Sequence, residues 1–172
     1  MDKKKALVII DMQMGFMNDN TKHLEDKIEK FINEHEGVFD KIIATAYINS
    51  EHTACYVFEH WDKCMANTVD TYLVPKVHSK IDICFEKDVY SCYSEKFKEY
   101  LRHFGIEEVY LCGVNTGCCV LHSAFDMYND LVSCYVIEDL CGSTSGSKSH
   151  EAAIQVLEEC ITKDRVIHSS SV

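Results

Sequence analysis

Cys118 and Cys119 stand where an apolar strand gives way to a helix. The run Val109-Tyr-Leu-Cys112 breaks at Gly113, and Val120, Leu121, Ala124, Phe125, Met127 and Tyr128 then recur at helical spacing. A thiol on the first turn of a helix meets unpaired backbone N–H groups and the positive end of the macrodipole, which favour its anion. The position therefore predicts a lowered thiol pKa and a nucleophile available near neutral pH. The competing reading is a buried cysteine acting as a small hydrophobe. Asp11 ends the apolar run Ala6-Leu-Val-Ile-Ile10, and Lys87 follows Ile81-Asp-Ile-Cys-Phe85. An acid, a lysine and a thiol at one place can do chemistry together. The carboxylate takes the thiol proton and returns it to a leaving group, the ammonium favours the thiolate, and the sulfur forms a covalent intermediate that water resolves. Backbone N–H groups between Gly113 and Cys119 can hold the oxyanion that develops.

The elements that must bring these residues together alternate along the chain. Strands are predicted at 6–10, 41–45, 81–85, 109–112, 131–137 and 166–168. Helices are predicted at 24–35, through Phe97, Tyr100, Leu101 and Phe104 up to Gly105, after Cys119, and at 150–160. Apolar strands alternating with helices imply one α/β domain over residues 1–172, a three-layer α/β/α architecture around a doubly wound, mainly parallel six-stranded sheet. In such a sheet ligands bind beyond the carboxyl ends of the strands, where Asp11, Lys87 and Cys119 would meet. The segment from Tyr47 to Lys80 holds the only proline, Pro75, and the only tryptophan, Trp61, and has no clean period. Long excursions of this kind are often functional.

Composition narrows the partners. The formal net charge is -11, which disfavours nucleic acid and anionic membrane surfaces. No apolar run approaches the roughly 20 residues of a membrane span, and the opening Met1-Asp-Lys-Lys-Lys-Ala6 is unlike a signal peptide, so a cytoplasmic location is expected. Ten cysteines without a Cys-x-x-Cys pair read as reduced thiols, most of them structural.

Four segments in order resemble the isochorismatase-like cysteine hydrolase superfamily. They are Ala6-Leu-Val-Ile-Ile-Asp-Met-Gln-Met-Gly-Phe16, Phe85-Glu-Lys-Asp-Val-Tyr-Ser91, Gly113-Val-Asn-Thr-Gly-Cys-Cys-Val120, and Ile137-Glu-Asp-Leu-Cys-Gly-Ser143 with Ser149-His-Glu-Ala-Ala153. The resemblance covers nearly the whole chain and implies a Rossmann-like fold. It also implies a small-molecule amide, carbamoyl or related substrate, and a homo-oligomer of two or four subunits. It makes Asp11 the general base, Lys87 its electrostatic partner and Cys119, rather than Cys118, the nucleophile. It implies a cis peptide at Val114–Asn115, with the amides of Asn115 and Cys119 as oxyanion hole.

Two departures from the family pattern stand out. Gly117 follows the motif residue Thr116 where relatives usually carry an acid, so the helix start loses a support. Nicotinamidases of the superfamily bind a divalent ion through an Asp-x-His after the second strand. The matching positions here are Tyr47 and Asn49, with His52 and His60 nearby as surface residues, so neither metal nor any other cofactor is expected.

Phe16, Trp61 and Tyr90 are candidate pocket aromatics, and Gln13 either donates to substrate or supports its loop. His122, three residues past Cys119, would point away from the open end of a site, and His150 is placed at the start of the last helix as a cap or interface residue. Two other functions fit the same scaffold: isochorismate-type vinyl ether hydrolysis, which can use the aspartate without the cysteine, and a catalytically idle binding protein.

Overall fold

β1 (Lys5–Ile10) is buried on both faces, with Ala6 to Ile10 wholly out of solvent, because it lies in the middle of the sheet. The computed structural model describes residues 3–172. Around β1 run β2 (Lys41–Tyr47), β3 (Ile83–Lys87), β4 (Glu108–Val114), β5 (Ser133–Gly142) and β6 (Val166–Ile167), in the order β3-β2-β1-β4-β5-β6. Every pairing is parallel. Helices cover both faces: α1 (His23–Glu34), α2 (Ala54–Glu59), α3 (Pro75–His78), α4 (Glu95–Phe104), α5 (Leu121–Asn129) and α6 (Ser147–Cys160). The α/β/α architecture, the six strands and the single domain are as the hydropathy pattern requires.

Local signals explain several element ends. The Ser94 hydroxyl accepts from the Phe97 amide at 3.3 Å to open α4, and Gly105 closes it at φ 66. α1 buries Leu24, Ile28, Phe31 and Ile32, the residues its periodicity selects.

The boundaries differ where hydropathy is a poor guide. β2 continues to Tyr47, and β3 runs from Ile83, not 81, through Lys87, which therefore ends the strand instead of following it. Asp82 explains the shift: its carboxylate accepts from the Ile42 amide at 2.7 Å, so the ladder begins after it. β5 starts at Ser133, since Leu131 turns at φ 61 and is 93 % exposed. It passes through Glu138 and Asp139 to Gly142, because an irregularity in its pairing with β4 lets it resume beside Val114.

Gly113 is required by the packing of β4 on β1. It has φ +111, and a Cβ there would sit 2.1 Å from the Ile10 carbonyl oxygen. All ten cysteines are free thiols, and Cys112, Cys134 and Cys141 are core residues on β4 and β5. No helix among the described residues is long and apolar enough to cross a membrane.

Candidate active site

The strand order reverses between β1 and β4, and the site lies just beyond the carboxyl ends of these two strands. Asp11 is the first residue after β1. It holds φ 49, uncommon for a side-chain residue, and its carbonyl accepts from the Gln13 amide at 2.8 Å in a tight turn. Lys87 reaches across from the end of β3. After β4 the chain forms a five-residue π-helical turn, Thr116–Val120, before α5 begins, and Cys119 sits in that turn.

These three side chains converge. Lys87 Nζ lies 2.7 Å from Asp11 Oδ2 and 3.4 Å from Cys119 Sγ, and it donates to the Val89 carbonyl at 3.1 Å. Three acceptors match the three protons of the ammonium. The set is dry: Asp11 is 0 % exposed, Cys119 4 % and the Lys87 side chain 6 %. Thr45 completes it, donating to Asp11 Oδ1 at 2.7 Å and accepting from the Asp11 amide at 3.2 Å. Thr45 is not among the residues singled out from sequence; its one signal is a hydroxyl ending the apolar run Lys41-Ile-Ile-Ala-Thr45.

Burial changes the expected electrostatics. It pushes the Cys119 thiol well above its ordinary pKa, the Asp11 charge pushes the same way, and Lys87 opposes only in part. The lowered pKa expected of a cysteine at a helix start is thus reversed, because desolvation of the thiolate outweighs the dipole. For Lys87 burial pulls downward, but the Asp11 charge and hydrogen bond and the Cys119 charge overcome it, and the net shift is up. The resting arrangement is a neutral thiol beside an ion pair.

The Val114–Asn115 peptide is cis. The Asn115 carbonyl accepts from the amides of Cys118 at 3.1 Å and Val120 at 3.2 Å, which removes both from oxyanion binding, while the Asn115 side chain accepts from the Thr144 amide at 2.7 Å. Beside the sulfur opens a cavity of about 440 Å³ bounded by Phe16, Trp61, Tyr47, Tyr90, Asn115 and Cys119. Phe16 and Trp61 stack with ring centroids 5.3 Å apart. The Tyr90 hydroxyl donates to Glu59 Oε1 at 2.6 Å. Cys55, Glu59 and Lys63 also line the cavity, placed there by the irregular excursion and invisible to periodicity.

Of the two roles open to Gln13, its contacts here are those of a loop brace. It is wholly buried, its Nε2 donates to the carbonyls of Tyr47 and Thr71, and its Oε1 accepts from the Tyr47 amide at 2.8 Å. Both ends of the amide are thereby committed to backbone. His122 turns back to the Cys118 carbonyl at 2.8 Å and rests on the Tyr90 ring, away from the Asp11–Lys87–Cys119 set. Gly117 is exposed, and a Cβ there would meet that of Ala153 on α6 at 3.4 Å, an ordinary contact distance.

The residues after β2 do not fit a divalent ion. Asn49 is buried, with Nδ2 donating to the Trp61 and Lys63 carbonyls and Oδ1 accepting from the Ser50 amide and the Thr53 hydroxyl. Burial holds the Tyr47 phenol protonated, and His52 and His60 are exposed. Among the described residues no cluster of three His, Cys, Asp or Glu side chains has the disposition of a metal site.

His150 braces the turn that holds Cys119 instead of capping α6. The Thr116 hydroxyl donates to the Gly142 carbonyl at 3.0 Å, so its 2.8 Å contact with His150 Nδ1 makes that nitrogen the N–H donor. Burial lowers the His150 pKa from its ordinary 6.5; Glu138 and Glu151 partly oppose this and Lys27 adds to it. The unfolded chain therefore takes up this proton at higher pH than the folded one. Stability from neutral His150 is present above pH 6.5 and lost as pH falls below it. Thermal melts from pH 7 to 5 should show a smaller drop in Tm for His150→Phe than for the parent; parallel curves would refute this.

The fold is doubly wound, and a buried Cys/Asp/Lys set stands at its switch point. An isochorismatase domain profile matches residues 5–164, and the chain belongs to the isochorismatase family. It is 25 % identical over 182 residues to a nicotinamidase of Acinetobacter baylyi, covering 84 % of this chain and 85 % of that one. An isochorismatase-like hydrolase from Alkaliphilus metalliredigens superposes with a TM-score of 0.84 at 19 % identity, covering 98 % of this chain and 96 % of that one. A pyrazinamidase/nicotinamidase from Streptococcus mutans superposes with a TM-score of 0.80 at 22 % identity, covering 95 % and 99 %.

Proposed function

We propose that this protein is a cysteine amidohydrolase acting on a small amide, carbamoyl or related molecule, with Asp11, Lys87 and Cys119 as its catalytic residues. The observation that carries this reading is the contact of one ammonium with both the Asp11 carboxylate and the Cys119 sulfur on the wall of an aromatic-lined cavity. The nicotinamidases among its relatives favour amides over ethers.

In the proposed reaction, the substrate carbonyl enters beside Cys119 with its oxygen toward the amides of Asn115 and Cys119. As sulfur bonds to the carbonyl carbon, its proton passes to Asp11, and Lys87 offsets the negative charge on sulfur. Collapse of the tetrahedral adduct breaks the C–N bond, and the amine leaves with the proton held by Asp11. Water then adds to the thioester, Asp11 accepts its proton and returns it to the departing sulfur, and the acid is released. A raised thiol pKa suits this sequence, because the proton leaves only when substrate is present to receive the sulfur electrons. None of these steps calls on a metal or cofactor. Phe16, Trp61 and Tyr90 form the walls that receive the substrate. A dimer or tetramer goes with this reading.

The test is ammonia release from a panel of small primary amides, with intact-mass detection of an acyl adduct after acid quench and peptide mapping of its position. We expect release from at least one amide and an adduct on Cys119. Absence of both across the panel would favour an idle binding scaffold.

A further inference from the structure

The Asn115 side chain has one end fixed and the other free. Its oxygen accepts from the Thr144 amide at 2.7 Å. A backbone amide only donates, so the bonded end is Oδ1 and the group left over is Nδ2. Nδ2 bonds to no protein group among the described residues. It is not enclosed either, since Asn115 is half-buried and the one buried side-chain polar atom there without a partner is the Tyr47 hydroxyl. It opens instead on the cavity that Asn115 borders together with Cys119. Both anchors of the residue are firm. The Asn115 carbonyl holds the amides of Cys118 and Val120. The Thr144 carbonyl takes the side-chain amides of Asn18 and Asn20 at 3.0 Å each, and the Ser145 amide donates to the Ser143 hydroxyl at 3.2 Å. The loop after β5 thus sets the plane of the Asn115 carboxamide.

The direction of the side chain follows from the backbone. At φ -87 the Asn115 N–H and Cα–Cβ bonds lie on the same side of the chain. The side chain therefore leaves beside its own amide, the group proposed above to face the substrate oxygen. A developing oxyanion is stabilised most by donors that are already oriented, and a side-chain carboxamide can supply one. We infer that Asn115 is a catalytic residue through its side chain, with Nδ2 donating to the substrate oxygen as the tetrahedral adduct forms on Cys119. It is a third donor beside the amides of Asn115 and Cys119. This inference rests on the amidohydrolase reading and adds a catalytic group to it.

Asn115→Asp and Asn115→Ala separate the donor from the anchor. Asp keeps an oxygen for the Thr144 amide and loses the N–H donor, whereas Ala loses both. For an amide that the parent hydrolyses, kcat should fall roughly 100- to 1,000-fold in both variants with KM within about threefold. Only Asn115→Ala should melt below the parent. Equal rate losses at unequal stability identify the donor, and agreement between neutral Ala and charged Asp excludes repulsion as the cause. Benzaldehyde gives a readout without C–N cleavage. The Cys119 sulfur bonds to the aldehyde carbon, the C=O π pair moves onto oxygen, and the thiol proton passes to Asp11. Loss of carbonyl absorbance should report this adduct with the parent, and its affinity should fall about tenfold or more in both variants. An unchanged rate and adduct affinity in Asn115→Asp, or losses confined to Asn115→Ala, would overturn the inference. A parent that neither hydrolyses an amide nor forms the adduct would overturn it together with the amidohydrolase reading. An adduct weakened by both substitutions, on a protein that cleaves no amide, would sink only the amidohydrolase reading. Amide turnover indifferent to Asn115→Asp would sink only the role of Asn115.

Discussion

Cys119→Ala is expected to abolish amide turnover, lowering kcat by about four to six orders of magnitude, with residual activity set by the oxyanion amides and binding alone. The substitution removes the sulfur in contact with Lys87 and leaves the cavity walls in place, so the expected loss is in kcat with product affinity retained. The same variant separates the two hydrolytic chemistries. Vinyl ether cleavage can proceed by protonation from Asp11 without a covalent intermediate, so turnover of a vinyl ether by Cys119→Ala would replace the amidohydrolase reading. Side-by-side steady-state rates for an amide and a vinyl ether, with parent and variant, decide between them. Adduct mapping adds an independent criterion, since neighbouring Cys118 lines the same cavity and must remain unmodified.

Lys87→Met should destabilise the protein by about 3–5 kcal/mol, because it leaves a fully buried carboxylate without its counter-charge. In a chain of this size that corresponds to a fall in Tm of about 6–20 °C. Neutral donors such as the Thr45 hydroxyl on Oδ1 would then have to stabilise the Asp11 carboxylate without a counter-charge. Turnover should be lost as well, since nothing would then offset charge on the Cys119 sulfur. A structural defect and a catalytic one are distinguished by adding Asp11→Asn. The double variant removes both charges and should regain most of the lost stability while staying inactive. Melting curves and rates for the single and double variants test this; a Lys87→Met protein as stable as its parent would show that the ion pair is not the buried pair described.

Residue type and period carried much of this molecule. The apolar runs at 6–10 and 109–112 specify the central strands, since only strands covered on both faces can be apolar at every position. Ser94 and Gly105 mark the ends of α4 through purely local hydrogen bonding and φ preference. Because strand order in a doubly wound sheet places loop residues at one edge, Asp11, Lys87 and Cys119 could be drawn together from positions 76 and 32 residues apart. That the chain enters β3 late was not visible, because Asp82 starts the ladder through a side-chain bond to another strand.

What depends on dryness and on facing groups had no signal along the chain. A cysteine at a helix start reads as activated, yet Cys119 lies in a buried turn against Asp11, and desolvation reverses the direction of its pKa. Gln13 can bind substrate or brace a loop as far as its sequence position shows, until Tyr47 and Thr71 close around both ends of its amide. Thr45 and His150 acquire meaning only from neighbours 34 residues away. Hydropathy and turn chemistry are short-range, and they determined which residues reach the edge of the sheet. Solvent exclusion and hydrogen-bond satisfaction are set by everything that surrounds a group, so the tertiary structure alone decided which of those residues carry charge, which stay neutral and which are left unpaired.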